Sequence, residues 1–197
     1  MNADRIKKIH RISGLTLATF FFFHIINHLS ALWGADVHIK VMKLFRMVYR
    51  FPPIEVLLLL SAVVQVISGL MVAWKKGFRN NGYDVLQVLS GLYLSFFLFY
   101  HIRAVMLGRY VWNVETDFHF AAWGVKNSPA DRFFIPYYSL SVLCVFIHLA
   151  CVHRQKMLAL HQYTTGSSNQ MAGRHAGVIV ITGVVVTVLI ITSFINA

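Results

Sequence analysis

Acidic residues and cysteines are scarce in this chain, with seven Asp and Glu and two Cys among 197 residues. Without a cysteine cluster it holds no iron–sulfur centre of its own. The two thiols, Cys144 and Cys151, stand two helical turns apart on one face, where they cannot pair, and they say nothing of redox compartment. A Gly-rich dinucleotide fingerprint is also missing, so no flavin or nicotinamide domain is encoded. Charged residues amount to only 13% against 57% hydrophobic, which excludes an ordinary soluble domain.

What is present is apolar length. Five segments, roughly 12–32, 54–74, 84–107, 134–153 and 175–195, approach the ~20 residues needed to cross a ~30 Å hydrocarbon core, and little is left for a water-soluble domain. The first segment is too long, and too poor in small residues at a cleavage point, for a removable signal, so it reads as a permanent span. The net charge of +11 comes from Lys and Arg at the ends of spans, which points to anionic lipid headgroups and topology, not to nucleic acid. The larger share of the basic residues, Arg5, Lys7, Lys8, Arg11, Lys75, Lys76, Arg79, Arg154, Lys156 and Arg174, falls on the N-terminal side, which predicts an N-terminus inside. Between the first two spans, Lys40, Lys43, Arg46 and Arg50 alternate with apolar residues as in a basic amphipathic helix lying on the membrane surface. The stretch Gly108 to Asp131, with Trp112, Phe118, Phe120 and Trp123, predicts a second interfacial segment, and Gln162 to Gly173 reads as a polar, flexible loop.

One stretch is written twice. Ser13-Gly14-Leu15-Thr16-Leu17 through His24-Ile25 recurs as Ser90-Gly91-Leu92-Tyr93-Leu94 through His101-Ile102. The second and fourth spans align more weakly, matching Pro53 with Pro136 and placing Gln65 opposite His148. The expected fold is therefore all-α: one transmembrane domain over residues 1–197, with five transmembrane helices. A four-helix core would be built from a two-helix repeat (about 10–74 and about 84–153), with a fifth helix, about 175–195, packed outside.

An imidazole at bilayer depth is costly unless something binds it or hydrogen-bonds it. His10, Gly14, Leu17, Phe21, His24 and His28 share one face of the first helix. Because the first and third spans run in the same direction, His24 and His101 lie at one depth and can approach one plane from two sides. That is bis-histidine haem geometry, with Phe20, Phe21, Phe97 and Leu98 as apolar walls and Gly14 and Gly91 where a helix must come close. The plainer reading is that each His hydrogen-bonds a neighbouring helix; two equivalent imidazoles favour the haem. Zinc or copper fits less well, since no carboxylate or thiolate shares the face. His28 is an alternative ligand or propionate partner. Arg103, His38 and Lys43 are further propionate candidates, though for each a snorkelling headgroup contact is the favoured reading. His148 is either an interhelical hydrogen-bond donor or the sole ligand of a second, degenerate site opposite Gln65. One haem is expected, and two if that site fills. His10, Arg11 and Ser13 at the inner interface are a hydrogen-bonding set suited to a quinone carbonyl or to simple anchoring.

These residues resemble a family. His10-Arg11-Ile12-Ser13-Gly14 looks like the His-Arg-x-Ser/Thr-Gly signature of the cytochrome b membrane-anchor subunits of succinate dehydrogenase and fumarate reductase, and Gln65-x-x-x-Gly69 is similar to the His-x-x-x-Gly of their second helix with the ligand changed. Five spans match the single-chain, two-haem type. The resemblance implies haem b on His24 and His101, a second pair at Gln65 and His148, and a quinone-site Arg at Arg11. It also implies peripheral flavoprotein and iron–sulfur partner subunits, and residence in a bacterial cytoplasmic or mitochondrial inner membrane. The sequence departs at Gln65, and at Lys7 where some members carry a quinone-contacting Ser. The alternative is a stand-alone haem-binding protein or adaptor of the same superfamily, such as the mitochondrial contact-site adaptors, with no dehydrogenase partner.

Overall fold

The computed structural model describes residues 3–77, 82–160 and 167–197; Arg79 and residues 162–166 of the expected polar loop lie outside them. The described residues form seven α-helices and one 3-10 turn, with no strand among them. Helix α1 (Ala3–Leu29) runs into the 3-10 turn Ser30–Trp33, and Gly34, at φ +103°, redirects the chain into α2 (Ala35–Tyr49). Such a backbone angle lies in the region that favours glycine. Pro52 and Pro53 open α3 (Pro52–Lys76), where missing N–H groups cost nothing, and Gly77 at φ +62° ends it. Helices α4 (Gly82–Tyr110), α5 (Phe118–Lys126), α6 (Asp131–Leu160) and α7 (Ser167–Asn196) follow. The Asp117 carboxylate caps α5 by accepting from the His119 amide at 2.9 Å.

Five helices are long and apolar enough to cross a membrane: Asp4–Trp33, Pro52–Lys76, Gly82–Tyr110, Asp131–Leu160 and Ser168–Asn196. Each contains the expected span and extends past it. The shortest has 25 residues, or about 38 Å at ~1.5 Å per residue. Apolar side chains such as Leu57, Leu60, Val63 and Ile67 on α3, and Val178, Ile181, Val185 and Val188 on α7, face outward, as lipid-facing positions do. Many of the buried positions on the spans are small, among them Ser13, Ser61, Ala62, Ser68, Ser90, Ser141, Cys144, Ala150 and Cys151, the residue types that let helices approach in lipid.

The helices pack in the order α1, α3, α4, α6, α7, and α7 returns to touch α1. This differs from the expectation of four core helices with the fifth outside. The α6–α7 interface is the most extensive in the molecule, because Gly183 of α7 leaves room for Phe146 of α6. A Cβ at Gly183 would stand 2.5 Å from that of Phe146. All Cα atoms of α1 stay more than 8 Å from those of α4 and of α6, so α7 fills the side of α1 that α6 does not reach. At the distal face, opposite the N-terminus, α5 and the 3-10 turn lie over the ends of α1 and α7. Ile25, Ala31, Phe118, Ala122, Val125, Ile190 and Phe194 form the buried cluster there.

Candidate functional site

The backbone gap between α1 and α4 is bridged by imidazoles. His24 and His101 face each other with ring centroids 6.0 Å apart and planes at 70°. Each is backed by the phenylalanine one turn earlier: Phe20 stacks on His24 at 5.4 Å and 22°, and Phe97 on His101 at 5.2 Å and 19°. Phe20 and Phe97 are equivalent in the duplicated stretch, so aligned residues make matching contacts. The contact itself puts the two rings at one level of the bundle.

Two more imidazoles join them. His28 Nε2 lies 3.0 Å from His24 Nε2, a distance at which one nitrogen carries the shared proton. His38 of α2, only 2% exposed, packs 5.6 Å from His28 and against Phe118 and Phe194. Asn27 Nδ2 reaches His38 Nε2 at 3.2 Å. His28 Nδ1, His38 Nδ1 and Asn27 Oδ1 are buried with no hydrogen-bond partner, so the pocket is polar and under-satisfied. Burial pushes the His38 imidazole down to about 4, with the Asp117 carboxylate opposing and the Arg46 guanidinium adding to the effect. His38 was read from the sequence as a propionate or headgroup contact. Instead the distal cap folds over it.

The spacing of His24 and His101 is that of a bis-imidazole site, although His24 Nε2 is turned to His28. Two metal–imidazole bonds of ~2 Å each, plus about 1 Å from ring nitrogen to ring centre on either side, span ~6 Å, which is the separation of His24 and His101. Among the described residues no group of three or more His, Cys, Asp or Glu is arranged to hold a bare metal ion.

In the N-terminal half, Gly14 and Gly91 do not approach that slot. A Cβ at Gly14 would lie 3.3 Å from Gln65 Nε2, and one at Gly91 3.2 Å from His148 Cε1, so both glycines make room for the polar residue of the adjoining helix. Four side chains form one directional chain there. Ser13 Oγ donates to Gln65 Oε1 at 2.6 Å, Gln65 Nε2 donates to His10 Nε2 at 3.2 Å, His10 Nδ1 donates to Ser68 Oγ at 3.1 Å, and Ser68 donates to the Val64 carbonyl at 2.6 Å. On the aligned pair of helices, His148 Nδ1 donates to the Gln87 carbonyl at 3.1 Å and lies 3.3 Å from Ser90 Oγ. His148 is thus an interhelical donor, and its Nε2 keeps the lone pair, as in a histidine whose other nitrogen is held by a carbonyl. Arg11 and Arg103 are exposed. Arg103, two residues beyond His101, falls on another face of α4, so neither joins the histidines. Lys76, Asp84, Gln87 and Gln155 link α3, α4 and α6 at this end, with Lys76 Nζ 2.6 Å from Asp84 Oδ1 and Gln155 Nε2 2.7 Å from Gln87 Oε1.

Sequence reasoning missed a cationic cluster at the distal face. Arg46 and Arg50, expected to point at headgroups from α2, turn instead to the loop before α5, where Arg46 donates to the Thr116 carbonyl at 2.8 Å and Arg50 to the Thr116 hydroxyl at 3.0 Å. The helical spacing of His38 and Arg46, eight residues apart on α2, was the available signal that both face inward. No protein-family model, curated protein or solved structure matches the chain.

Proposed function

We propose that the chain is a haem b-binding membrane anchor. It would pass electrons between a peripheral flavin and iron–sulfur dehydrogenase of the succinate/fumarate type, docked on the N-terminal face, and a membrane quinone. The observation that carries this reading is the facing pair His24 and His101 at 6.0 Å, each backed by an equivalent phenylalanine. Haem, when bound, supplies one-electron exchange at its iron. The protein's part is to hold two neutral imidazoles toward one plane, fix their ring orientation by stacking with Phe20 and Phe97, and keep water out with Phe21 and the distal cap. His28 and His38 offer buried nitrogens beside the pair. In this reading the two helix pairs α1–α3 and α4–α6 are repeats, one haem is the expected content, and His148 opposite Gln65 is at most a single ligand for another. The membrane would be a bacterial cytoplasmic or mitochondrial inner one, with the N-terminus inside.

The test is a reduced-minus-oxidised spectrum of the purified chain. A low-spin b-type signal of one haem per chain is expected, lost in His24→Ala and in His101→Ala and kept in Gln65→Ala. A signal that survives both histidine substitutions overturns the assignment.

A second reading, a stand-alone haem-binding protein or adaptor with no dehydrogenase or quinone, is favoured by one observation. Two of the three residues proposed for quinone are already engaged, His10 with Gln65 and Ser68 and Ser13 with Gln65, while Arg11 is exposed on its own. Co-purification of flavin and iron–sulfur subunits from the native membrane supports the anchor. Haem-loaded chain without them, unable to reduce quinone, supports the stand-alone protein.

A further inference from the structure

The distal face carries a second constellation, adjoining His38 through Arg46, that does not depend on haem. Two guanidinium groups, of Arg46 and Arg50, converge on Thr116, and a third, Arg109, paired with Glu55, lines the same cleft. Carboxylates meet only part of this charge. Glu55 is taken by Arg109, and Glu115 reaches Arg46 at 3.4 Å from a side chain 80% exposed, where an ion pair contributes little. Arg50 has a neutral hydroxyl as its side-chain partner, and Arg46 Nε is buried without an acceptor. Burial, and then the charges of Arg46 and Arg109, pull the Arg50 guanidinium below its ordinary value, with Tyr49 and Glu115 opposing. The cluster is therefore under-compensated and positive. Beside it opens a cleft of about 230 Å³ lined by Arg50, Arg109, Tyr110, Glu115 and Thr116.

The position of the cleft identifies what would fill it. Arg50 stands two residues before the first residue of α3, and Arg109 is the penultimate residue of α4, so the cleft lies where two spans leave the apolar layer. Phe51, Tyr110 and Trp112 are all more than half exposed around it, the aromatic belt of a membrane interface. Guanidinium groups offer a planar fork of donors suited to a phosphate oxygen pair. We propose that this cleft binds the phosphate of an anionic phospholipid, held by Arg50 and Arg109, with the acyl chains along the exposed apolar faces of α3 and α4. A soluble phosphate shares the chemistry, but the depth and the aromatic rim favour the lipid.

The test uses the full chain purified in neutral detergent, with phosphatidylglycerol or phosphatidylcholine added and bound lipid counted by native mass spectrometry. The wild-type protein should prefer phosphatidylglycerol by about tenfold, the scale of one charge-assisted hydrogen bond. Arg50→Gln should bring that preference near unity, Arg50→Lys should keep part of it, and Lys40→Gln, an exposed cation elsewhere on α2, should leave it unchanged. If Arg50→Gln fails to fold, Thr116→Val carries the test, with a weakened preference expected. The proposal is overturned by equal binding of both lipids to the wild type, by an equal effect of Lys40→Gln, which would mean a diffuse basic surface, or by full displacement of the lipid by millimolar inorganic phosphate, which would assign the cleft to a soluble anion.

Discussion

Ser13 of α1 and Gln65 of α3 are joined by a 2.6 Å hydrogen bond, the hydroxyl donating to the carboxamide oxygen, with Ser13 only 6% exposed. Gln65 then spends its amide on His10, so one serine orients a chain that ends at the Val64 carbonyl. Interhelical bonds of this kind contribute ~0.6 kcal/mol on average and up to ~1.7 kcal/mol in membranes. Ser13→Ala should destabilise the protein within that range, read as a shift of the unfolding midpoint in mixed micelles. His10→Ala should cost at least as much, because it leaves Gln65 Nε2 without its acceptor and removes the donor to Ser68 Oγ.

The glycines of α7 separate packing from propensity. A Cβ at Gly183 would meet Phe146 Cβ and Cγ at 2.5 and 2.6 Å, atoms at the stem of the side chain that a rotation of the ring does not move away, whereas Gly177 has nothing within 4 Å. Gly183→Ala should therefore cost about 1–3 kcal/mol by overpacking. Gly177→Ala should be neutral or stabilise by up to ~1 kcal/mol through helix propensity. Unfolding midpoints of the two variants, measured together, check the sign of each; equal effects would place Phe146 elsewhere.

The five spans were legible because hydropathy over twenty residues is a strong signal, and the shared depth of His24 and His101 was legible because the stretch containing them repeats. The place of α7 was hidden: its faces are uniformly apolar, and what seats it is the fit of Phe146 into Gly183, a property of two helices at once. The burial of His38 and the convergence of Arg46 and Arg50 on Thr116 depend on α5 and its preceding loop folding back over α2, which pairs residues some seventy positions apart in the chain. The helical spacing of His38 and Arg46 signals a shared side of α2 but not what covers it.

His28 provides a check on register within the histidine site. It lies one turn beyond His24 and shares a proton with it across 3.0 Å, but it is His24 whose ring faces His101 at 6.0 Å. His28→Ala should leave the low-spin haem spectrum in place, while His24→Ala should abolish it. Loss of the spectrum in His28→Ala with retention in His24→Ala would keep the slot and move the ligand by one turn.

His38 gives a pH dependence whose direction is fixed. Its folded-state value is about 4, lowered chiefly by burial, against an ordinary value near 6.5. Between these two values the unfolded chain binds more protons than the folded one, so stability rises with pH across the window. The contribution from keeping His38 neutral is fully present above about pH 6.5, is lost progressively as pH falls toward about 4, and changes no further below it, with a slope of at most ~1.4 kcal/mol per pH unit. The measurement is the difference in unfolding midpoint between wild type and His38→Gln across pH 4 to 7, since the other histidines titrate in both proteins and cancel. The wild type should lose stability faster on acidification, and the two curves should run parallel above pH 7. A difference that is flat across the window would mean that His38 is hydrated in the folded protein and that the distal cap opens over it.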